Sequence, residues 1–600
     1  MAEILGGVLT GFALYVALIA ISLLAGASLL RLWKLENIDS SLLLAPALGQ
    51  VFWVIGLGIT VALRIPIKDS APWLWGATSV LVLMGLPSVR AMLRSSDFKI
   101  VLLCAALPLV AMPVYFLQGL TDYLGSISPD GWSYIAFGQY IWEYPRGTDG
   151  GLAPLYQYAA HLSGGRFLSA GLLAFFSPLI RAGDTQPTSL LFQAWALFVL
   201  STGVAFYWRT TGQSLRIVLA ATALATLAGW MTNLIWANNY DNLLSLVYLP
   251  ILAAILAVME WHWRWFSLLG VLLAASLYAY AELAPFIIGA AVISVMPRLW
   301  RECLLWRRWL KGAIGTGIIV IVLLLPWGST LLSYIQSQFN STLALITRPG
   351  GGAFLGLVML KYQPAAFWGL GGENQFIRFA DILNVLGYGL SLIALVGLAR
   401  LIRQKRWGFL AMTVFLLLGV FYYIVIQKYE YAAYKFQTIG WWALAGILVI
   451  GTERSLALFT RVNLRAVEIG LVLFVGLLAI DAQASAQALR LFVPSLQVSD
   501  YRQVNAIKEI VGREPVRVWV DDWVANEWAV YFLRDIPIDL AVYRMYMAQA
   551  HVIPFMERAR KIEANIRYTL TDKNADLPSI DNRVWRKIWS GGVYALWQAQ

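Results

Sequence analysis

The sequence predicts an all-α polytopic membrane domain of roughly fourteen transmembrane helices, followed by an exterior α/β domain at the C-terminus. Three observations predict it. Of the 600 residues, 60% are apolar and 13% charged, with a mean hydropathy of +0.68. The apolar residues fall into runs near the ~20-residue length that crosses a bilayer. Beyond residue 500 the pattern changes to short β-type runs alternating with helical ones. The same figures exclude a soluble enzyme, a disordered chain and a fibrous protein.

The apolar segments are 5–30, 43–63, 71–88, 100–118, 188–207, 217–235, 242–259, 266–281, 283–297, 312–327, 383–402, 408–427, 437–452 and 465–482. Met1–Leu30 has no basic n-region, and its run is too long for a signal h-region, so it reads as the first span. A further piece, 167–180, follows Gly164, Gly165 and Arg166. It is short, and counting it as a span would break the charge pattern after it, so an interfacial or re-entrant helix is expected.

Charge orients the spans. Arg31, Lys34, Arg90, Arg94, Lys99, Arg209, Arg216, Arg264, Arg298–Lys311, Arg400–Arg406 and Arg454–Arg465 mark one set of loops. The opposite short loops carry only Arg64, Lys68, Lys428 and Lys435. The positive-inside rule makes the first set cytoplasmic, so the N-terminus and everything after residue 482 are exterior. The net charge of +12 is thus accounted for by loop retention, and no nucleic-acid partner is expected. The 27 Trp and 27 Tyr suit the membrane–water boundaries. The expected location is a bacterial inner (plasma) membrane, with residues 1–482 as the transmembrane domain and 483–600 as a periplasmic domain.

Three regions face the exterior: 119–187, 328–382 and 483–600. The second contains Pro349-Gly350-Gly351-Gly352 and Gly369-Leu370-Gly371-Gly372, with Ala353–Leu360 between them as a helix along the membrane surface. These glycines fit either plain turns or a substrate-gating loop. In the third, strands are expected at Pro515–Val520, Pro537–Tyr543 and Ile566–Leu570. A hairpin is expected from Val584–Trp589 and Val593–Trp597, and helices over Asn526–Arg534 and up to Ala564. Asp521 and Asp522 follow a strand, where a helix cap is the favoured reading and an active-site acid the other.

The strongest chemical signal opens the first exterior region: Thr121-Asp122-Tyr123, then Ser128-Pro129-Asp130-Gly131-Trp132-Ser133-Tyr134-Ile135-Ala136. Asp130 starts a helical stretch with aromatic residues at helical spacing. A helix cap fits it, and so does an acid at the membrane boundary. Aromatic rings beside a carboxylate suit a sugar, which stacks on the rings and donates hydroxyl hydrogens to the acid.

Here the chain resembles the GT-C superfamily of integral-membrane glycosyltransferases, which includes oligosaccharyltransferase catalytic subunits, protein O-mannosyltransferases and lipid A aminoarabinose transferases. Their first large exterior loop carries an acid at its membrane-proximal start, often followed by a small residue and a Tyr, as in Asp130-Gly131-Trp132-Ser133-Tyr134. In that family the loop follows the first span; here it follows about the fourth. The resemblance implies a donor sugar on a polyprenyl-phosphate carrier and a lipid, glycan or protein acceptor. Asp130 is then the catalytic acid that takes or orients the acceptor proton. Positive side chains or a divalent cation (Mg or Mn) stabilise the departing phosphate, with Asp122 and Asp130 as the oxygen ligands of any such metal.

Three further segments supply groups on the exterior side. Trp236–Asn242 offers Asn239 and Asp241 to sugar hydroxyls, or forms only a polar turn. In Tyr278-Ala279-Tyr280-Ala281-Glu282, Glu282 lies at membrane depth or at the surface, where an ionisable group is functional or snorkels to water. In Gln427–Lys435, Lys428 and Lys435 could hold the phosphate, with Tyr431 and Tyr434 near the sugar; an aromatic belt with snorkelling lysines fits too. Arg146, Arg166, Lys361 and Arg378 are reserve phosphate ligands, and Glu143, Asp149 and Asp122 reserve acids.

His161, His262 and His551 are dispersed, and Cys104 and Cys303 form no framework, so neither a zinc site nor a disulfide is expected. The rival functions are a flippase or transporter of lipid-linked glycan, a polysaccharide polymerase or ligase, and a non-catalytic scaffold. A translocation path would want ionisable groups deep in several spans, but here they gather at exterior ends.

Overall fold

The computed structural model describes residues 2–35, 40–121, 129–148, 153–162, 166–236, 238–260, 262–346, 364–371, 373–427, 429–459, 464–491, 498–541, 566–575 and 583–600. All fourteen apolar segments fall on helices. Among the described residues, eight helices are long and apolar enough to cross a membrane. A ninth is formed if Cys303–Leu324 and Gly328–Ser337, bent by 95°, make one span. The chain is built as a multi-pass membrane protein.

Several segments are broken rather than continuous, each for a local reason. Segment 100–118 divides into Phe98–Ala111 and Pro113–Gln118, because Pro113 lacks the N–H that would continue the first helix. Segment 217–235 divides into Leu215–Leu227 and Trp230–Trp236. Gly229 sits between them at φ +61, and an added Cβ would lie 2.4 Å from the Trp441 ring. Only glycine fits both the left-handed backbone and that contact. The 167–180 piece is a short helix, Leu168–Phe176, with every residue buried. It is therefore packed inside the protein.

The 22-residue helix Ser189–Thr210 gives the domain its two ends. At a rise of about 1.5 Å per residue it is roughly 33 Å long. Near its start Gln193 bonds Asn238 at 2.9 Å. At its finish Arg209 pairs with Asp97 at 3.2 Å. Nearby loop residues join at that second end: Arg406 donates to the Thr211 carbonyl, and Arg216 and Arg400 flank Glu453. The arginines that the charge pattern groups together thus meet at one end, away from Asn238.

The C-terminal residues form a five-stranded sheet in the order β2-β1-β3-β5-β4, from β1 (Val516–Trp519), β2 (Ile538–Leu540), β3 (Tyr568–Asp572), β4 (Trp585–Gly591) and β5 (Tyr594–Ala599). β1 runs parallel to β2 and β3, with Val516 opposite both Ile538 and Tyr568. β5 closes the sheet antiparallel to β3 and β4. Helix Trp523–Phe532 makes the crossover from β1 to β2 and is wholly buried apart from its first residue. Asp522 caps it by accepting from the Ala525 N–H at 2.7 Å, so the cap reading holds for this residue. The surface helix Ala353–Leu360, the glycines before it and the helix up to Ala564 lie outside the described residues.

Candidate functional site

The start of helix Pro129–Glu143 lies beside Asn238, just before helix Tyr240–Ser245. A Cβ on Gly131 would lie 2.9 Å from Asn238 Nδ2, so a small residue is needed after Asp130 for the two to meet. Asn238 holds the turn with φ +53, a conformation Asn tolerates better than most residues. One turn further along the helix, the Tyr134 hydroxyl donates to Asp241 Oδ2 at 2.9 Å, and its ring lies 5.0 Å from that of Tyr240. Asp241 is 2% exposed, and its Oδ1 has no partner in hydrogen-bond geometry among the described residues. Asp241 and Asn242 begin helix Tyr240–Ser245 and are not part of the turn itself.

A second group adjoins the first. Asn239 Nδ2 donates to the Tyr434 hydroxyl at 3.4 Å, and Tyr434 precedes Lys435 on helix Glu430–Phe459. Lys435 is 7% exposed and pairs with Glu282. Glu282 also pairs with Arg166, whose Nε lies 2.9 Å from its Oε1. Two tyrosines complete the shell: Tyr280 donates to Glu282 Oε2 and Tyr334 to Oε1, each at 2.7 Å. Both hydroxyls also accept, Tyr280 from Lys435 and Tyr334 from Arg166, at 2.9 Å each. The two cations further lie over the Tyr280 ring, Arg166 at 5.2 Å and Lys435 at 5.1 Å.

This is one carboxylate between two cations, a cluster with a net charge of +1. Lys435 is enclosed, whereas the Arg166 side chain is 36% exposed. Glu282 therefore neither snorkels to water nor stands free: its oxygens are taken up by four side chains. Glu282 is held between the two cations, Arg166 and Lys435.

The structure thus draws Tyr134, Asn239, Asp241, Glu282, Tyr434 and Lys435 into one region. Asp130 opens the adjoining helix, its side chain outside the described residues, as is that of Tyr431. Asp122 and Lys428 lie outside the described residues altogether. Arg166, only a reserve ligand by sequence, is central. Tyr280 and Tyr334 were not singled out. Tyr280 stood two residues from Glu282, but nothing local marks Tyr334, which reaches the cluster from helix Gly328–Ile346.

Among the described residues, no group of three or more His, Cys, Asp or Glu side chains could hold a metal ion. Glu282 is consumed by its cations, and Asp241 alone falls short of the six or so oxygens that a hard divalent cation takes.

No protein-family model matches the chain, and no curated protein matches it. It is similar to solved structures. One is the archaeal oligosaccharyltransferase AglB from Archaeoglobus fulgidus in complex with an inhibitory peptide and a dolichol-phosphate, with a TM-score of 0.46 and 11% identity over 79% of this chain and 69% of that one. A second is the Archaeoglobus fulgidus oligosaccharyltransferase in complex with Zn and sulfate, with a TM-score of 0.43 and 10% identity over 79% and 68%. A third is ArnT from Cupriavidus metallidurans in the apo state, with a TM-score of 0.47 and 13% identity over 84% and 98%. At these scores and identities no residue role or chemistry transfers from them.

Proposed function

We propose that the protein moves a sugar from a polyprenyl-phosphate carrier to an acceptor at the exterior face of a bacterial inner membrane. The observation that carries this reading is the meeting of two unlike groups beside the start of the Asp130 helix. One is a buried acid, Asp241, held by Tyr134; the other is the net-positive Arg166–Glu282–Lys435 cluster. A sugar phosphate needs both, acceptors for the sugar and positive charge for the phosphate.

In this reading an acceptor hydroxyl or amide attacks the anomeric carbon, and its proton passes to the Asp130 carboxylate. The bond from the anomeric carbon to the phosphate oxygen breaks, and the electron pair leaves with polyprenyl phosphate. The half-exposed guanidinium of Arg166 faces that growing negative charge. Lys435 adds its charge from behind, and Glu282 keeps both cations from turning away. Asp241, oriented by Tyr134, receives hydroxyls of the sugar, with Asn239 and Tyr434 beside it. Should a divalent cation take part, Asp122 and Asp130 are the acids that would hold it, and it would supply positive charge to the departing phosphate.

The test is a transfer assay. Purified protein receives radiolabelled polyprenyl-phosphate sugars and a membrane extract as the acceptor pool. Movement of label from carrier to a new product supports the reading. Carrier crossing proteoliposome membranes without transfer would replace it with a flippase.

A further inference from the structure

Helix Trp523–Phe532 of the C-terminal domain and the turn that follows it meet the helix that Asp130 opens through three side-chain contacts. Trp132 Nε1 donates to the Glu527 carbonyl at 3.0 Å. Gln139 Oε1 lies 3.1 Å from the Tyr531 hydroxyl. Glu143 Oε1 lies 3.9 Å from Arg534 Nε. Positions 132, 139 and 143 share one face of the Asp130 helix.

Tyr531 is the centre of this joint. It is 0% exposed. Its hydroxyl hydrogen has Asp184 Oδ1 at 2.9 Å and Gln139 Oε1 at 3.1 Å as acceptors. Its oxygen accepts from the backbone N–H groups of Thr185 and Gln186, each at 3.2 Å. One hydroxyl thus ties the Asp130 helix, the 184–186 loop and the C-terminal domain together. Arg534 stacks 4.8 Å over the Tyr531 ring, and Arg502 donates to Gln186 Oε1 at 2.7 Å from the same domain.

We propose that the C-terminal domain positions the catalytic acid, and that the Tyr531 hydroxyl is the positioning group through which it acts. The inference rests on the function proposed above. A tethered acceptor-binding module would need no buried, directional bonds to this helix. A joint that fixes the helix on a neighbouring element sets where Asp130 sits against the anomeric carbon, and misplacement by about an ångström costs up to about a hundredfold in rate.

The experiment uses the full chain with Tyr531→Phe, which keeps the ring and removes the hydroxyl, and Trp132→Phe as a second variant. Two readouts are taken: kcat and carrier KM per folded protein, and hydrogen exchange of amides in 139–143 and 183–186. The expected result is a fall in kcat of about tenfold to a hundredfold with carrier KM unchanged, and faster exchange in both segments. A merely structural contact would lower the melting temperature and leave kcat per folded protein intact. Wild-type kcat in a folded Tyr531→Phe protein, or exchange identical to wild type, would overturn the proposal. A wild type that transfers no sugar would remove the proposed function instead, and exchange alone would then decide whether Tyr531 fixes the helix.

Discussion

Tyr134 donates its hydroxyl to Asp241 at 2.9 Å, and this bond ties the helix opened by Asp130 to helix Tyr240–Ser245. Tyr134→Phe removes it and takes a hydrogen-bond donor from a nearly fully buried carboxylate. Stability should fall by about 1–3 kcal/mol, the usual cost of an orphaned buried polar group. Thermal unfolding in detergent measures this, and sugar transfer per folded protein should fall with it.

Glu282→Gln should be more damaging. Arg166 and Lys435 would then face each other without a counter-charge, and removing one partner of a buried ion cluster costs on the order of 3–5 kcal/mol. Glu282→Gln combined with Lys435→Met should recover part of the loss, because one unpaired cation is gone. Equal melting temperatures for the single variant and wild type would contradict the assigned role of Glu282.

Glu527 gives the C-terminal domain a pH dependence. Burial, reinforced by the nearby negative charge of Asp522, holds its carboxyl well above the usual range. An unfolded Glu ionises near pH ~4.3, while the folded one stays protonated at higher pH. The folded state therefore binds more protons. Stability is full below about pH 4 and falls as pH rises towards the folded value. Glu527→Gln should flatten this slope and raise the melting temperature at neutral pH. Melting curves across the acidic to neutral range test it, and parallel slopes for the two proteins would refute it.

Asp522→Ala removes the cap of the Trp523–Phe532 helix and should cost about 1 kcal/mol, whereas Asp522→Asn should cost little. Comparing the two melting temperatures separates capping from a need for the charge itself.

The fold was largely legible because its signals are local. The fourteen apolar runs all fall on helices, and β-type runs bounded by turn residues located β1 to β5. The breaks were less legible. Gly229 interrupts a helix because Trp441, far along the chain, packs against it, and no neighbouring residue announces that. The candidate site divides the same way. Asp241, Glu282 and Lys435 stood out as polar residues at the ends of apolar runs. Their partners did not: the pairing of Glu282 with Arg166 and the reach of Tyr334 join segments separated by more than a hundred and by some fifty residues. Nothing in the sequence around Tyr531 marked it, and only the packing of its helix on Gln139 and Asp184 distinguishes it.

The most direct test compares wild type with Asp130→Asn in transfer of label from radiolabelled polyprenyl-phosphate sugar. Loss of a general base typically costs about a hundredfold to ten-thousandfold. Asp130→Asn should lose transfer on that scale while keeping its melting temperature and its binding of the carrier. Transfer at the wild-type rate in the folded variant would contradict the account and move the catalytic role away from Asp130.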